Sequence, residues 1–329
     1  MSKFYSLLIA IYCLPVSAFS DTYEDCLARE SRIADENLTL KALRAFCSEK
    51  TSEPITPIEH RADLEKANRG NRFTITPHKP NYLLPISYNK TPNTSPYHTS
   101  GLTDNISNTE IKFQLSLKAP LAYELFNGHG SLWAAYTNTS WWQAYNENSA
   151  PFRETNHEPE IFFSFPTKTN VFGMELDRVL LGLSHQSNGR SGSLSRSWNR
   201  LYANFLFTKE NFVLSLKPWY RLPESEKPVD PVTGLPTSAD GDDNPDIYNY
   251  MGYGELRLSY KLDRHTLGMM IRNNLRKDNK GAVQLDWSFP INEQFRGYVQ
   301  YFNGYGESLI DYNAHANRLS IGVMLTDWL

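Results

Sequence analysis

The sequence predicts an all-β protein, a transmembrane antiparallel β-barrel of about twelve strands with a small helical N-terminal periplasmic extension. From residue 73 onward, apolar and polar residues alternate in segment after segment, as they do in strands whose two faces meet different surroundings. The polar face repeatedly carries Lys, Arg, Glu, Gln and Asn, which suits a hydrogen-bonded barrel interior better than a soluble core. Aromatic residues are frequent, with 19 Tyr, 17 Phe and 7 Trp, and they suit the girdles at the two membrane interfaces.

Residues 1–20 predict a signal peptide and therefore an exported protein. Lys3 provides the positive start, and residues 7–14 form an apolar core that is too short for a transmembrane helix. Small residues within 16–20 offer cleavage sites. Cys13 raises the alternative of a lipoprotein, but bulky residues precede it where small ones are expected.

Residues 21–72 are predicted to form a helical extension and linker. Apolar residues between 22 and 49 are spaced more like a helix than a strand, whereas 51–72 is polar and contains two prolines. Without the signal peptide, Cys26 and Cys47 are the remaining cysteines, and two cysteines in an oxidising compartment are expected to pair. We interpret the extension as an ordered cap without chemistry of its own.

Residues 73–329 are predicted to form the barrel. Alternation alone fits both a soluble periplasmic β-protein and a membrane barrel, and the charged second face favours the barrel. Long loops such as 223–246 are expected to face outward and short turns to face the periplasm. A net charge of −3 gives no indication of nucleic-acid binding. The alternation is clearest in 111–118, 212–217, 248–260, 283–289 and 319–326.

A candidate catalytic group lies on one predicted hairpin. His185 and Ser187 are two residues apart in a strand, so they share a face with the leucines at 181 and 183. In the following strand, the apolar residues from Leu201 to Phe207 set the parity that places Asn199 on the same side. A base, a hydroxyl and an amide on an apolar face predict a Ser-His-Asn hydrolase. A solvent-facing polar pair is the alternative, and periodicity alone does not exclude it.

Several blocks of the chain, in order, resemble the outer membrane phospholipase A family of Gram-negative bacteria. The resemblance covers most of the chain after residue 75. It implies a twelve-stranded barrel of the outer membrane whose site lies on the outside wall. It also implies calcium-dependent hydrolysis of the sn-1 and sn-2 acyl esters of phospholipids and lysophospholipids, activated when two barrels form a homodimer. The blocks are 140–143, 149–160, 185–190, 195–200, 243–247 and 304–312.

By this resemblance the candidate residues receive roles. Ser187 is the nucleophile, His185 the general base and Asn199 the group that orients the histidine, in agreement with the parity of the two strands. Gly189 and the neighbouring backbone help to form the oxyanion hole.

The resemblance also implies a calcium site that two barrels share. Its ligands are the carbonyl oxygen of Arg190, the hydroxyl of Ser195 and Ser149 of the partner subunit. Asn138 stands where the family places a glutamine bonded across the dimer, and Gly192 stands where the family's monomer has an acidic calcium ligand. The chain also departs from the family at its end, where Trp328 is followed by a leucine rather than closing the chain.

Other charged groups have simpler interpretations. Arg153 and the glutamates at 154, 158 and 160 are expected to form an ion-pair network that fills the pore. The aspartates at 242, 243 and 246 are expected to form a loop turn, with binding of a second calcium as the alternative. The competing functional class is a non-catalytic porin or a lipid-binding structural barrel in which the Ser-His-Asn residues are incidental.

Overall fold

The computed structural model describes residues 23–33, 39–50, 56–67, 74–98, 106–147, 150–228, 230–231, 238, 241–292 and 295–327. The predicted signal peptide, Ser149 and Trp328 lie outside these residues. The chain divides into two compact units, Met1–Pro54 and Ile55–Leu329. In the part of the chain that is described, no helix is long and apolar enough to cross a membrane.

The first unit contains two helices joined by a disulfide. Helix α1 spans Tyr23–Ile33 and helix α2 spans Leu40–Lys50. Thr39 begins α2, because its hydroxyl accepts the amide of Ala42 at 3.2 Å. Cys26 and Cys47 are bonded and buried, with 5.6 Å between their Cα atoms. A covalent link of this span stabilises so small a unit by about 3 kcal/mol on the chain-entropy model.

Helix α3, Pro57–Ala67, lies in the stretch for which a linker was expected, so that expectation is wrong for these residues. A capping box begins the helix: the Thr56 amide donates to the Glu59 carboxylate at 3.1 Å, and the Glu59 amide donates to the Thr56 hydroxyl at 3.3 Å. Glu65 forms an ion pair with Lys118 of the barrel at 2.7 Å. The polar composition concealed this helix, whereas the Thr-Pro-x-Glu start would have predicted it.

Twelve antiparallel strands, β2 to β13, close into a barrel, since each pairs with its neighbour in sequence and β13 also pairs with β2. The two-residue strand β1 adds to β3. The predicted fold is therefore confirmed. The strands are β1 Thr76–Pro77, β2 Asn81–Asn89, β3 Thr109–Glu124, β4 Gly130–Trp142, β5 Phe152–Val171, β6 Met174–Ser187, β7 Ser197–Lys209, β8 Phe212–Arg221, β9 Gly254–Leu262, β10 His265–Asn273, β11 Gly281–Pro290, β12 Arg296–Tyr305 and β13 His315–Thr326. The short helices are α4 Ser95–His98, α5 Leu125–Gly128 and α6 Tyr248–Met251, with a 3-10 turn at Gly192–Leu194.

The two faces of the barrel wall differ as the sequence predicted. Large apolar side chains are exposed on the outside, among them Leu117, Leu285 and Ile321. The interior holds charged side chains in ion pairs, which confirms the predicted pore-filling network. These pairs include Arg153 with Glu110 and Asp311, Arg318 with Glu110 and Glu307, Arg200 with Glu158, and Glu160 with Lys79 and Lys217.

The connections at the two ends of the barrel differ in length. At one end the strands are joined by short turns such as Phe172–Gly173, where both residues have positive φ, 51° and 79°, as a two-residue hairpin requires. At the other end lie the long connections, including 188–196 and 222–253. The end of β6 and the start of β7 meet at this long-loop end, and they carry the candidate site.

Candidate active site

The candidate residues lie together on the outer face of the β6–β7 hairpin. The register pairs His185 with Asn199 and Ser187 with Ser197. Leu183 and Leu201, which flank them, are 47% and 49% exposed. The intervening residues Ser184, Trp198 and Arg200 are buried on the inner face. The outward parity predicted for His185, Ser187 and Asn199 is therefore confirmed.

A hydrogen bond joins the histidine to the amide. His185 Nδ1 lies 2.8 Å from Asn199 Oδ1. An amide oxygen only accepts, so Nδ1 is the donor in this bond, and a neutral ring in this orientation has its free lone pair on Nε2. The other end of the amide supports this orientation, because Asn199 Nδ2 donates to Glu224 Oε1 at 3.0 Å. This arrangement presents the tautomer that a general base requires.

Polar contacts hold the inner face of the β6–β7 hairpin, on the opposite side of the barrel wall from the site. The Trp198 indole donates to Gln186 Oε1 at 2.8 Å, and the Arg200 guanidinium lies 4.2 Å from the centre of the Trp198 ring. Arg200 also donates to Glu158 at 2.7 Å, and the same carboxylate oxygen accepts from the Ser184 hydroxyl at 3.0 Å. Both strands are thus fixed from inside, so the backbone that carries the outward side chains is held in place.

Strand β5 places a second histidine beside the serine. His157 is the register partner of Ser187, and its Nδ1 lies 2.6 Å from the Tyr136 hydroxyl and 3.3 Å from Asn138 Nδ2. Asn138, predicted at a dimer contact, is half-buried and contacts this histidine within its own chain. Sequence reasoning missed His157, although its parity with the exposed Ile161 would have placed it on the outer face.

The loop after Ser187 is held by one buried amide. Asn188 donates to the carbonyl of Leu194 at 2.8 Å and accepts the amides of Arg196 and Arg190 at 3.0 and 3.3 Å. Gly189 adopts a φ of 64°, which favours glycine. The loop is therefore preorganised where the oxyanion hole was predicted. Sequence reasoning did not single out Asn188.

Arg190 is fixed through its side chain as well. Its guanidinium donates to the carbonyls of Phe152 and Arg153, each at 2.8 Å. These bonds hold the segment whose carbonyl was predicted to bind calcium.

The predicted calcium ligand Ser195 lies next to a carboxylate from another loop. Its hydroxyl donates to Asp243 Oδ2 at 2.8 Å, and the hydroxyl of Ser197 donates to the same oxygen at 3.0 Å. Lys227 contacts the other oxygen of Asp243. Ser149 lies outside the described residues. The described ranges hold no group of three or more acidic, histidine or cysteine side chains at metal-binding distance.

The remaining aspartates form part of a turn, as predicted. Asp242 accepts the amide of Asn244 at 2.9 Å, and Asp246 accepts the Tyr312 hydroxyl at 2.6 Å. Asp243 alone of the three points to the β6–β7 loop.

Comparison with known proteins adds to this geometry. The family model Phospholipase A1 matches residues 58–325. Phospholipase A1 of Escherichia coli strain K12 is 41% identical over 260 residues, 78% of this chain and 83% of the relative. Phospholipase A1 of Salmonella typhimurium strain LT2 is 40% identical over 296 residues, 88% of this chain and 96% of the relative.

Two solved structures are similar over most of the barrel. Outer membrane phospholipase A from Escherichia coli matches with a TM-score of 0.71 and 39% identity, over 79% of this chain and 94% of that one. The Salmonella typhi outer membrane phospholipase dimer with bound calcium matches with a TM-score of 0.71 and 38% identity, over 79% of this chain and 96% of that one.

Proposed function

The chain belongs to the phospholipase A1 family, and from this premise we propose that Ser187, His185 and Asn199 hydrolyse phospholipid acyl esters at the outer wall of the barrel. The protein is a carboxylic ester hydrolase of the outer membrane, and the alternative of a passive porin is not favoured. The observation that carries the proposed site is the 2.8 Å contact between His185 and Asn199, on the face that also bears Ser187.

The reaction begins with proton transfer. A serine hydroxyl is a weak nucleophile at neutral pH, so Ser187 requires a neutral base that accepts its proton as the bond to the ester carbonyl carbon forms. His185 Nε2 takes this proton, and Asn199 holds the ring through Nδ1. The imidazolium then donates a proton to the leaving lysophospholipid oxygen. Water hydrolyses the acyl-serine by the same steps in reverse, and the fatty acid leaves.

Two features of the hairpin favour this chemistry. The Gly189 loop is fixed by Asn188, so its backbone is preorganised to stabilise negative charge on the carbonyl oxygen. Exposed leucines at 183 and 201 flank the polar residues, so acyl chains lie against the same wall that carries the nucleophile. The substrate is therefore a phospholipid in the surrounding leaflet.

The oxygen atoms around the loop are suitable ligands for calcium. The Ser195 hydroxyl beside the Asp243 carboxylate and the carbonyl of Arg190 are hard oxygen ligands of the kind that Ca²⁺ prefers. We infer that Ser195 and Arg190 hold the ion together with Ser149 of the partner subunit, in a homodimer that is the active form. When bound, the ion supplies positive charge near the loop that faces the oxyanion. This charge is especially useful because Asn199 is neutral and stabilises the reaction less than a carboxylate would.

The catalytic assignment is tested by measuring fatty-acid release from phospholipid in mixed micelles. Ser187→Ala is expected to abolish release, whereas Ser193→Ala, an exposed serine in the adjoining loop, is expected to retain it. Turnover by Ser187→Ala at the wild-type rate would overturn the assignment.

The calcium and dimer assignments require a separate experiment. Ser195→Ala is compared with Ser197→Ala, because both hydroxyls donate to Asp243 but only Ser195 is a proposed ligand. Sedimentation in micelles, with calcium or chelator, is expected to show weaker calcium-induced dimerisation for Ser195→Ala alone, partly restored at high calcium. Full activity from chelated, strictly monomeric barrels would contradict the proposal.

A further inference from the structure

Glu224 follows β8, and its carboxylate contacts the amide of the candidate catalytic group. Its Oε1 accepts from Asn199 Nδ2 at 3.0 Å, and the side chain is half-buried. The backbone beside it is tied to the same residue, because the amide of Leu222 donates to the carbonyl of Asn199 at 2.8 Å. Two contacts, one from side chain and one from backbone, therefore attach this loop to Asn199.

The loop is also attached on its far side. The amide of Asp242 donates to the carbonyl of Ser225 at 2.7 Å. The nearby cations are paired with other acids, since Arg221 contacts Asp242 and Lys227 contacts Asp243. In the described part of this loop, the two cations therefore contact other acids, whereas the Glu224 carboxylate contacts Asn199.

We propose that Glu224 is a positioning residue that fixes Asn199 and supplies the negative charge that this amide lacks. The proposal rests on the proposed Ser187–His185–Asn199 site. An ionised carboxylate accepts hydrogen bonds and donates none, so it selects the orientation in which Asn199 Nδ2 points toward it and Oδ1 points toward His185.

The orientation of the amide decides the tautomer of the histidine. If Asn199 were flipped, its NH₂ would donate to His185 Nδ1, and the ring proton would move to Nε2. Nε2 could then no longer accept the proton of Ser187. Glu224 acts against this inactive arrangement.

The charge has a second effect. A neutral amide stabilises the imidazolium of the transition state less than a carboxylate does. Since one end of the Asn199 amide contacts His185 and the other contacts Glu224, the carboxylate places a negative charge close to the histidine. The arrangement is a base, an amide and an acid in series.

Glu224→Gln and Glu224→Ala separate these two effects. Gln retains an acceptor oxygen but not the charge, and kcat is expected to fall about fivefold, whereas Ala removes both and kcat is expected to fall about thirtyfold. KM is expected to stay within about twofold for both variants, because the carboxylate does not contact the substrate. Glu226→Gln, an exposed glutamate two residues further on, is the matched control and is expected to leave kcat unchanged.

A second set of variants distinguishes positioning from loss of loop structure. Asn199→Asp places two carboxylates opposite one another, so activity is expected to be low and Glu224→Gln is expected to raise it in that background. In the Asn199→Ala background, Glu224→Gln is expected to have no further effect. Folding of each variant is checked by the mobility of the unheated barrel in a denaturing gel.

Two outcomes would overturn the inference: an unchanged kcat for Glu224→Gln and Glu224→Ala, or an equal loss in the Asn199→Ala background. Ser187→Ala separates this failure from failure of the proposed function. If Ser187→Ala remains active, the catalytic site itself is wrong. If Ser187→Ala is inactive and the Glu224 variants behave as wild type, only the positioning role is wrong.

Discussion

Replacing Asn199 by alanine removes the group that orients the proposed base and leaves the rest of the hairpin in place. The side chain makes two hydrogen bonds, to His185 at 2.8 Å and to Glu224 at 3.0 Å, whereas its backbone carbonyl still accepts from Leu222. The barrel is therefore expected to fold, and the effect is expected in turnover.

The expected magnitude follows from the change in this bond during the reaction. While the imidazole ring is uncharged, such a bond contributes about 1 kcal/mol. In the transition state the ring is cationic, and the same bond contributes about 1.5–3 kcal/mol. Only the difference, about 0.5–2 kcal/mol, affects kcat, which corresponds to a decrease of about twofold to thirtyfold.

The assay is fatty-acid release under saturating calcium, with kcat and KM measured separately. Asn204→Ala is the matched control, since Asn204 lies in the same strand and its side chain accepts from Ser215 at 2.7 Å, away from His185. A kcat of Asn199→Ala within twofold of wild type would refute the orienting role. A loss as large as that of Ser187→Ala would refute the differential argument, because the strengthening of one hydrogen bond cannot account for it.

Three further outcomes are expected. Although burial would raise the pKa of Glu307, the Arg318 guanidinium at 2.7 Å lowers it to about 2. The ion pair therefore stabilises the barrel above about pH 4.3, and this stabilisation is lost as the pH falls toward 2. The urea midpoint of the barrel in vesicles should decrease in that pH window, and Glu307→Gln should make the midpoint less dependent on pH. Leu183→Arg puts a charge on the lipid face and should lower the free energy of unfolding by about 2 kcal/mol, measured by the same urea unfolding in vesicles. Cys26→Ser with Cys47→Ser should leave fatty-acid release largely intact, because the disulfide lies in the first unit, and complete loss of activity in folded protein would contradict this.

The barrel and the face of its candidate site could be predicted because both depend on period-two alternation. The leucines at 181, 183 and 201 fix which face is apolar, and His185, Ser187 and Asn199 follow by parity. The approximate strand number follows from the repetition of such segments, and the charged second face favours a closed barrel. A property that depends only on neighbours along one strand is visible in the sequence.

The contacts that the sequence did not reveal come from distant parts of the chain. His157 reaches Ser187 through the pairing of β5 with β6, and Glu224 and Asp243 reach the hairpin from a loop whose path no periodicity describes. Parity can say which face a residue occupies, but not which side chain of another segment lies next to it. Helix α3 was missed for a different reason, because its polar composition outweighed the capping signal at Thr56.

The closed pairing of the twelve strands has a consequence for assembly. Among the described strands, β2 to β13 each pair with a neighbour on both sides, so these strands leave no free edge that another copy could join by main-chain hydrogen bonds. Two barrels can associate only through side chains. Because the surrounding lipid is as apolar as the leucines themselves, burying those leucines yields little of the hydrophobic free energy that drives association in water. Burial of apolar surface would therefore contribute little to the proposed dimer, and the calcium ion proposed between the two barrels would decide whether they stay together.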